Sequence, residues 1–202
     1  MQADEKAKGA NELFPVFLKL GELDTLIVGG GAVCLEKLGA LLRCSPDARV
    51  TIVAESVLQE IKSLVSGCKK IRLVERPFRV RDLAGKDLVI LATDVPDLHR
   101  RIRVLARRRR LLVNVADKPE LCDFYLGSVV TKGNLRVGIS TNGQSPTMAK
   151  RLREFFDDVL PDSTDELLDN MLSVRQRIKG DLQDKVNALN EITAAWLKKK
   201  HD

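Results

Sequence analysis

Short, continuous apolar runs recur along roughly the first half of the chain and alternate with segments whose apolar residues are spaced three or four apart. The runs predict strands buried on both faces, because such strands lack polar alternation. They are Thr25–Val28, Val50–Val53, Ile71–Glu75, Leu88–Ala92 and Leu111–Val115. The intervening segments predict helices at Val33–Cys44, from a Ser56 cap to about Ser66, and at Pro96–Arg109. This order predicts an α/β fold: a doubly wound parallel sheet with helices on both faces.

The alternation stops after about residue 116. Gly127–Thr131 and Leu135–Ser140 predict a hairpin that turns at Lys132-Gly133-Asn134, and Ser145-Pro146 supplies the cap and first-turn proline of a helix. A small α+β region therefore follows the sheet.

Both ends of the chain differ from this middle part. Residues 1–10 are charged and predict a disordered tail, whereas the apolar segment Asn11–Leu20 predicts an edge strand. After Pro161 the pattern predicts a helix capped by Ser163 or Thr164 and ending near Ile178. A last helix runs from beyond Gly180 to the lysines at 198–200.

Composition narrows the class of protein. With 202 residues and 4% aromatics the core must be aliphatic, and a net charge of +6 favours polyanionic partners. The four cysteines and two histidines show no zinc-ligand spacing, and cysteines so scattered do not indicate a disulfide framework. No apolar run is long enough for a membrane span, and the sequence predicts a cytoplasmic protein without a membrane partner.

The candidate chemistry begins at the turn after the first strand, Gly29-Gly30-Gly31-Ala32-Val33-Cys34, which has the form G-x-G-x-x-C. In a dinucleotide site the first glycine makes the turn, the second admits the pyrophosphate, and the small third residue lets helix and strand pack. The helix N-terminus offers free N–H groups to phosphate. Strand before and helix after favour a Rossmann-type site for NAD, and the alternative is a plain tight turn.

Two further strand ends carry polar residues toward the same edge of the sheet. Glu55 and Ser56 follow the second strand, where an acidic residue hydrogen-bonds the adenosine ribose and disfavours a 2′-phosphate. The alternative for Glu55 is an exposed loop position. Thr93 and Asp94 follow the fourth strand and are candidates either for a contact to the nicotinamide half or for capping the next helix.

These residues, taken in order, resemble the precorrin-2 dehydrogenase and sirohydrochlorin ferrochelatase family, which includes the N-terminal module of siroheme synthase. The resemblance covers about residues 11–160. It is carried by Leu13–Phe17, Val28–Val33 with Lys37, Leu91–Asp94, Asn114–Asp117, and Ser140–Pro146 with Ala149 and Arg151. Cys34 stands where the family usually has alanine, and Glu55 where it often has an uncharged residue.

The resemblance implies an enzyme that uses NAD to oxidise the tetrapyrrole precorrin-2 to sirohydrochlorin. Some members also insert ferrous iron to give siroheme, and the members are homodimers. It implies a Rossmann domain over residues 11–122, a dimerisation region over 123–160 and a helical region over 161–202. Carried over by motif, the cofactor contacts fall on Ala32, Val33, Glu55 and Ser56, in addition to the glycines.

The resemblance also places the chemistry on Asp117, directly after the fifth strand, where it is a candidate base; the alternative is a residue that caps a turn. Ser145 corresponds to a phosphorylatable serine of some members, and its other role is the helix cap. Ser145, Lys150 and Arg151 are the candidate substrate-binding residues, because cations suit a substrate with many carboxylates.

Other charged and polar positions receive structural interpretations. Arg100, Arg103 and Arg107 share a helical face, which Arg108–Arg110 extend, but such a run is usually a solvated face. His99 is expected at the surface of the same helix.

The alternative class of function is a non-enzymatic regulator that senses NAD or binds nucleic acid, suggested by the basic charge. The chain has no helix-turn-helix pattern and few aromatic residues for base stacking, so the sequence favours the enzyme without a nucleic-acid partner.

Overall fold

The computed structural model describes residues 13–178 and 181–197, with side chains described up to residue 191. The predicted tail over residues 1–10, the interruption at Gly180 and the lysines at 198–200 lie outside these ranges. The chain forms two compact units. The first comprises the described residues up to 127 together with 141–145, and the second comprises 128–140 and the described residues from 146 onward.

The first unit is built on a five-stranded parallel sheet in the order β3-β2-β1-β4-β5. Val28 pairs with Val53 of β2 and Leu91 of β4, and Leu91 pairs in turn with Val115 of β5, so three strands end level at one edge. The strands are β1 (Asp24–Val28), β2 (Arg49–Ala54), β3 (Ile71–Glu75), β4 (Leu88–Leu91) and β5 (Leu112–Val115). This order confirms the predicted doubly wound sheet.

Helices cover both faces of this sheet and bury two aliphatic cores. One core packs α1 (Ala32–Cys44) and α2 (Gln59–Val65) against one face through residues such as Leu38 and Ile61. The other packs α3 (Pro96–Arg108) and a 3₁₀ turn (Val80–Leu83) against the opposite face. A second 3₁₀ turn (Pro119–Leu121) follows β5.

The second unit is a hairpin covered by a helix and followed by two more helices. β6 (Ser128–Lys132) and β7 (Leu135–Ile139) pair antiparallel, and α4 (Pro146–Val159) packs on them. Then come α5 (Thr164–Arg177) and α6 (Leu182–Leu197), and no helix in the described ranges is long and apolar enough to cross a membrane. The Asp165 carboxylate accepts the Asn134 N–H at 2.6 Å, which ties the start of α5 to the hairpin turn.

Two predictions about local structure are wrong. The described part of the predicted edge strand, residues 13–20, forms no strand, and Phe14 and Phe17 are 85% and 73% exposed. Ser56 caps no helix, because the Leu58 N–H is bonded to the Gly30 carbonyl at 3.0 Å and α2 begins only at Gln59. Ser163 occupies the cap position of α5, as predicted, but its side chain makes no capping hydrogen bond.

Candidate cofactor and catalytic site

The first glycine of the motif is required by the turn itself. Gly29 has φ of +124°, a conformation that side-chain-bearing residues rarely adopt, and a Cβ placed there would lie 2.2 Å from the Ala92 carbonyl oxygen. Its N–H donates to the Val53 carbonyl at 3.0 Å. Gly29 therefore lies between the ends of β2 and β4, in a space too small for a side chain.

The middle glycine is required by the neighbouring loop. A Cβ on Gly30 would lie 2.1 Å from the Ser56 carbonyl oxygen and 2.9 Å from the Ala54 Cβ. Together with the Leu58 N–H to Gly30 carbonyl bond, this contact clamps residues 55–58 onto the turn.

The third glycine, in contrast, faces open space. A Cβ on Gly31 would meet nothing within 4 Å, and Gly31 and Ala32 are both exposed at the start of α1. The first turn of α1 carries no acidic residue, and the first N–H groups of a helix have no acceptor within it. Cys34, at the third position of the motif, is fully buried in the core, and burial raises its pKa to about 12. The open space at Gly31, in front of the free N–H groups of the α1 N-terminus, fits the pyrophosphate of a dinucleotide.

Glu55 and Ser56 lie exposed at the end of β2, beside the glycine turn. The loop that carries them is held by its backbone, through the Ser56 and Leu58 contacts to Gly30, and both side chains project without a hydrogen bond among those found in the described residues. This location matches the region expected for the adenosine ribose, and the ribose contact itself stays a prediction.

The half-buried Thr93 and the buried His99 form a polar pair after β4, and the surface position predicted for His99 is wrong. His99 is 3% exposed, since it shares the inner face of α3 with Ile102 and Ala106. Its Nε2 lies 2.7 Å from the Thr93 Oγ1, which also accepts the Val95 N–H at 3.4 Å. Burial lowers the pKa of His99, and a hydrogen bond to the Thr93 backbone opposes this shift in part. The charges of Lys118, which lowers the pKa, and of Asp94, which raises it, have smaller effects.

Asp94 is exposed and caps no helix, since Val95 holds the cap position of α3 without a side-chain bond. The Thr93 methyl group lies beside Gly29, close enough that a Cβ on the glycine would be 3.2 Å from it. Thr93 therefore links the buried imidazole to the glycine turn.

Asp117 lies exposed in a tight turn directly after β5. Its φ is +57°, a left-handed conformation that aspartate tolerates better than most residues. The half-buried Cys122 holds this turn together: its Sγ accepts the Val115 N–H at 3.2 Å and lies 3.2 and 3.3 Å from the Val115 and Lys118 carbonyl oxygens. Burial raises the pKa of the Cys122 thiol, so it stays protonated and able to donate.

A second set of contacts behind Asp117 was not predicted from the sequence. Arg103 binds the Asp123 carboxylate through both guanidinium NH groups, and the same carboxylate accepts the Val113 N–H at 3.0 Å. Burial raises the pKa of Asp123, but the hydrogen bonds from Arg103 and Val113 outweigh it and lower the pKa overall. Arg103 thus joins α3 to β5, whereas Arg107–Arg110 are exposed.

The candidate substrate residues belong to two different units of the chain. Ser145 is half-buried at the end of a turn in the first unit, where its N–H donates to the Thr141 Oγ1 at 3.2 Å and its carbonyl accepts the Thr141 hydroxyl at 3.1 Å. Lys150 and Arg151 are exposed on α4 of the second unit and share Glu154, Arg151 at 2.9 Å and Lys150 at 3.9 Å.

The structure therefore brings one group of candidates together. The adjacent strands β1, β4 and β5 end level at one edge of the sheet. They are followed by Gly29–Gly31, by Thr93 and Asp94, and by Asp117, respectively. Ligands of such sheets bind outside the carboxyl ends of the strands, at the point where the strand order reverses, which here is between β1 and β4.

Comparison with known proteins is consistent with this geometry. Residues 16–128 match the family described as putative NAD(P)-binding, and residues 132–157 match the sirohaem biosynthesis protein central family. The siroheme synthases of Thioalkalivibrio sulfidiphilus and Methylococcus capsulatus are 35% and 36% identical over 86% and 83% of this chain. The chain spans about a third of the length of these relatives, 35% in both cases.

A solved structure of SirC, a precorrin-2 dehydrogenase, superposes with a TM-score of 0.70 at 23% identity, over 89% of each chain. At that identity the likeness shows the fold. The first family match spans more than half of the chain, and the second follows it in sequence. The chain thus belongs to the putative NAD(P)-binding family, and its predicted resemblance to the siroheme-biosynthesis proteins is confirmed.

Proposed function

We propose that this protein catalyses the NAD-dependent oxidation of precorrin-2 to sirohydrochlorin. The observation that carries the proposal is the pairing of an open phosphate cradle at Gly31 with the exposed Asp117 carboxylate on one edge of a parallel sheet. β1 and β5 are separated only by β4, so their ends are about 10 Å apart. An extended dinucleotide bound at Gly31 reaches this distance easily.

The residues divide the work as follows. The amides of Ala32 and Val33 bind the pyrophosphate, and Glu55 accepts a hydrogen bond from the adenosine ribose, which favours NAD over NADP because a 2′-phosphate would meet a carboxylate. Thr93 and Asp94 face the nicotinamide half. NAD, when bound, supplies the hydride acceptor. Asp117 accepts the proton that the substrate loses with the hydride, so that two electrons and two hydrogens leave the tetrapyrrole.

The test is anaerobic incubation of precorrin-2 with NAD and the protein, followed by absorbance of NADH and sirohydrochlorin. We expect Asp117→Asn to abolish turnover and to leave NADH binding intact, since asparagine also tolerates the left-handed turn. Glu120→Gln, an exposed acid of the same loop, is the matched control and should be fully active. Absence of turnover by folded wild-type protein, with salt-dependent retention of DNA, would support a regulator instead.

Iron insertion is a separate step of the proposal and has a separate assay. Sirohydrochlorin and ferrous iron are incubated without NAD, and siroheme is followed by its absorbance. If Asp117 also deprotonates the pyrrole nitrogens, Asp117→Asn slows this step as well.

The candidate substrate-binding residues should affect the affinity for precorrin-2 and not the chemical step. Lys150 and Arg151 are proposed to bind propionate and acetate groups of the tetrapyrrole, so alanine at both positions should raise KM for precorrin-2 and leave the NADH affinity unchanged. Phosphorylation of Ser145 would repel the same polyanion. A Ser145→Asp variant with an unchanged KM would contradict that role.

We also propose that the protein is a homodimer. Met148, Leu152, Phe155 and Val159 form one exposed apolar stripe along α4, which a second copy of the stripe would bury. Sedimentation of the wild type should give a dimer, Phe155→Lys should give a monomer, and Thr147→Lys, on another side of the helix, should remain dimeric.

A further inference from the structure

His99 is a buried polar residue to which the proposed reaction assigns no role. Only 3% of its surface is exposed, and its Nδ1 has no hydrogen-bond partner in the described part of the chain. A buried polar atom without a partner is costly, so such an atom calls for an explanation. His99 shares the buried face of α3 with Ile102 and Ala106. The groups that affect its pKa are Thr93 and Asp94 after β4 and Lys118 after β5, Thr93 through a backbone hydrogen bond.

The two neutral forms of the imidazole have different consequences for Thr93. If the proton is on Nδ1, a buried N–H is left without an acceptor, and the Thr93 hydroxyl must donate to Nε2. If the proton is on Nε2, the orphaned atom is an acceptor, and buried orphaned donors are rarer than buried orphaned acceptors. The second form is therefore favoured, with the His99 Nε2–H donating to the Thr93 Oγ1.

In this form both lone pairs of the Thr93 oxygen are used. One accepts the His99 Nε2–H at 2.7 Å and the other accepts the Val95 N–H at 3.4 Å. A hydroxyl has two lone pairs and one proton, so the Thr93 proton is left for an acceptor that is neither His99 nor Val95. Thr93 lies against Gly29 at the strand end where the cofactor is proposed to bind.

We propose that His99 is a positioning residue that fixes the Thr93 hydroxyl as a hydrogen-bond donor to an oxygen of the nicotinamide half of NAD. This inference rests on the proposed function. It adds that the Thr93 hydroxyl donates, rather than accepts, the hydrogen bond to the cofactor. His99 on the buried face of α3 fixes this direction. Thr93 touches the cofactor in this account, whereas His99 acts only through Thr93.

The first test measures affinity for two probes, NADH and ADP, by titration of the full-length protein. ADP contains the adenosine and the pyrophosphate but lacks the nicotinamide half. Thr93→Val should weaken NADH binding about fivefold and leave ADP binding unchanged, since one neutral hydrogen bond is lost. His99→Leu should weaken NADH binding about threefold, and His99→Gln, whose amide donates from a similar position, should restore it.

The double variant separates positioning from general damage. In a Thr93→Val background, His99→Leu should have no further effect on NADH affinity, because its only route to the ligand has been removed. Three results would overturn the inference and leave the proposed function standing. The first is an equal loss of NADH and ADP binding, and the second is an effect of His99→Leu that persists in the Thr93→Val background. The third is normal NADH binding by both single variants. Failure of the wild type to bind NADH overturns both.

The proton position has a test that needs no ligand. The chain has two histidines, so ¹⁵N-histidine spectra contain two imidazoles, and the His201→Gln variant assigns His99. The inference expects a neutral ring protonated at Nε2 at pH 7. A ring protonated at Nδ1 would make Thr93 a donor to His99 and would overturn the inference.

Discussion

Replacing Gly31 by alanine should separate cofactor binding from stability, because the two respond with opposite signs. Gly31 has φ of −92° and ψ of −166°, extended values open to any residue, and its added Cβ meets nothing within 4 Å. The folded protein therefore accommodates alanine, and the unfolded chain loses freedom, which stabilises the fold by about 0.5 kcal/mol. The melting temperature should rise by about 1–2 °C for a chain of this size.

The same methyl group occupies the space proposed for the pyrophosphate. Overpacking of this kind costs about 2 kcal/mol, and at 1.4 kcal/mol per factor of ten the affinity for NADH falls about 30-fold. ADP carries the same pyrophosphate, so its affinity should fall by a similar factor. Gly31→Ala thus differs from Thr93→Val, which spares ADP.

Gly30→Ala is the matched control, since the adjacent glycine has no room. Its Cβ would lie 2.1 Å from the Ser56 carbonyl oxygen, which is backbone and cannot rotate away. We expect a loss of about 3 kcal/mol and a melting temperature lower by about 6–12 °C.

The assays are thermal unfolding followed by circular dichroism and fluorescence titration with NADH and ADP. The reasoning is refuted if Gly31→Ala binds both nucleotides as tightly as the wild type, because the cradle then lies elsewhere. It is also refuted if Gly30→Ala is as stable as the wild type, because the loop at Ser56 is then not clamped against the turn.

Three further outcomes follow from individual side chains. Burial lowers the pKa of His99 below its ordinary value of 6.5, so near that pH the unfolded chain binds a proton that the folded chain does not. The contribution of His99 to stability is therefore full above about pH 6.5 and falls as the pH drops below it. Melting temperatures should decrease between pH 7.5 and pH 5, and His99→Gln should reduce this decrease. Asp123→Asn weakens the bidentate bond to Arg103 and should lower the free energy of unfolding in urea by about 2 kcal/mol; an unchanged value would mean that this pair does not hold α3 to β5. Burial raises the pKa of Cys34 to about 12, so mass spectrometry should find this thiol unmodified by a thiol reagent at pH 8 until the protein is unfolded.

The sheet could be predicted from the sequence because its signal is local. Continuous apolar runs such as Leu88–Leu91 are buried at every position, and the glycines mark where β1 ends. The apolar segment around Phe14 gave a similar signal but is exposed, because composition does not specify whether a neighbouring strand is available for pairing.

The errors in the site come from contacts distant in sequence. The start of α2 is set by the bond from Leu58 to Gly30, and the partner of Arg103 is 20 residues away at Asp123. His99 was predictable: it shares the spacing of three and seven residues with Ile102 and Ala106, a buried helical face. A polar residue on that face needs a polar partner, and Thr93, six residues earlier and directly after the preceding strand, supplies it.

The clamp between Gly30 and the loop at Ser56 has a consequence for how cofactor preference can change. The path of residues 55–58 is fixed by backbone atoms, whereas the Glu55 and Ser56 side chains are exposed. Substitutions at these two positions should therefore leave the fold undisturbed. If the loop holds the adenosine ribose, as proposed, one or two side chains are enough to exchange NAD for NADP. Gly30 offers no such route, because any larger residue there displaces the loop itself.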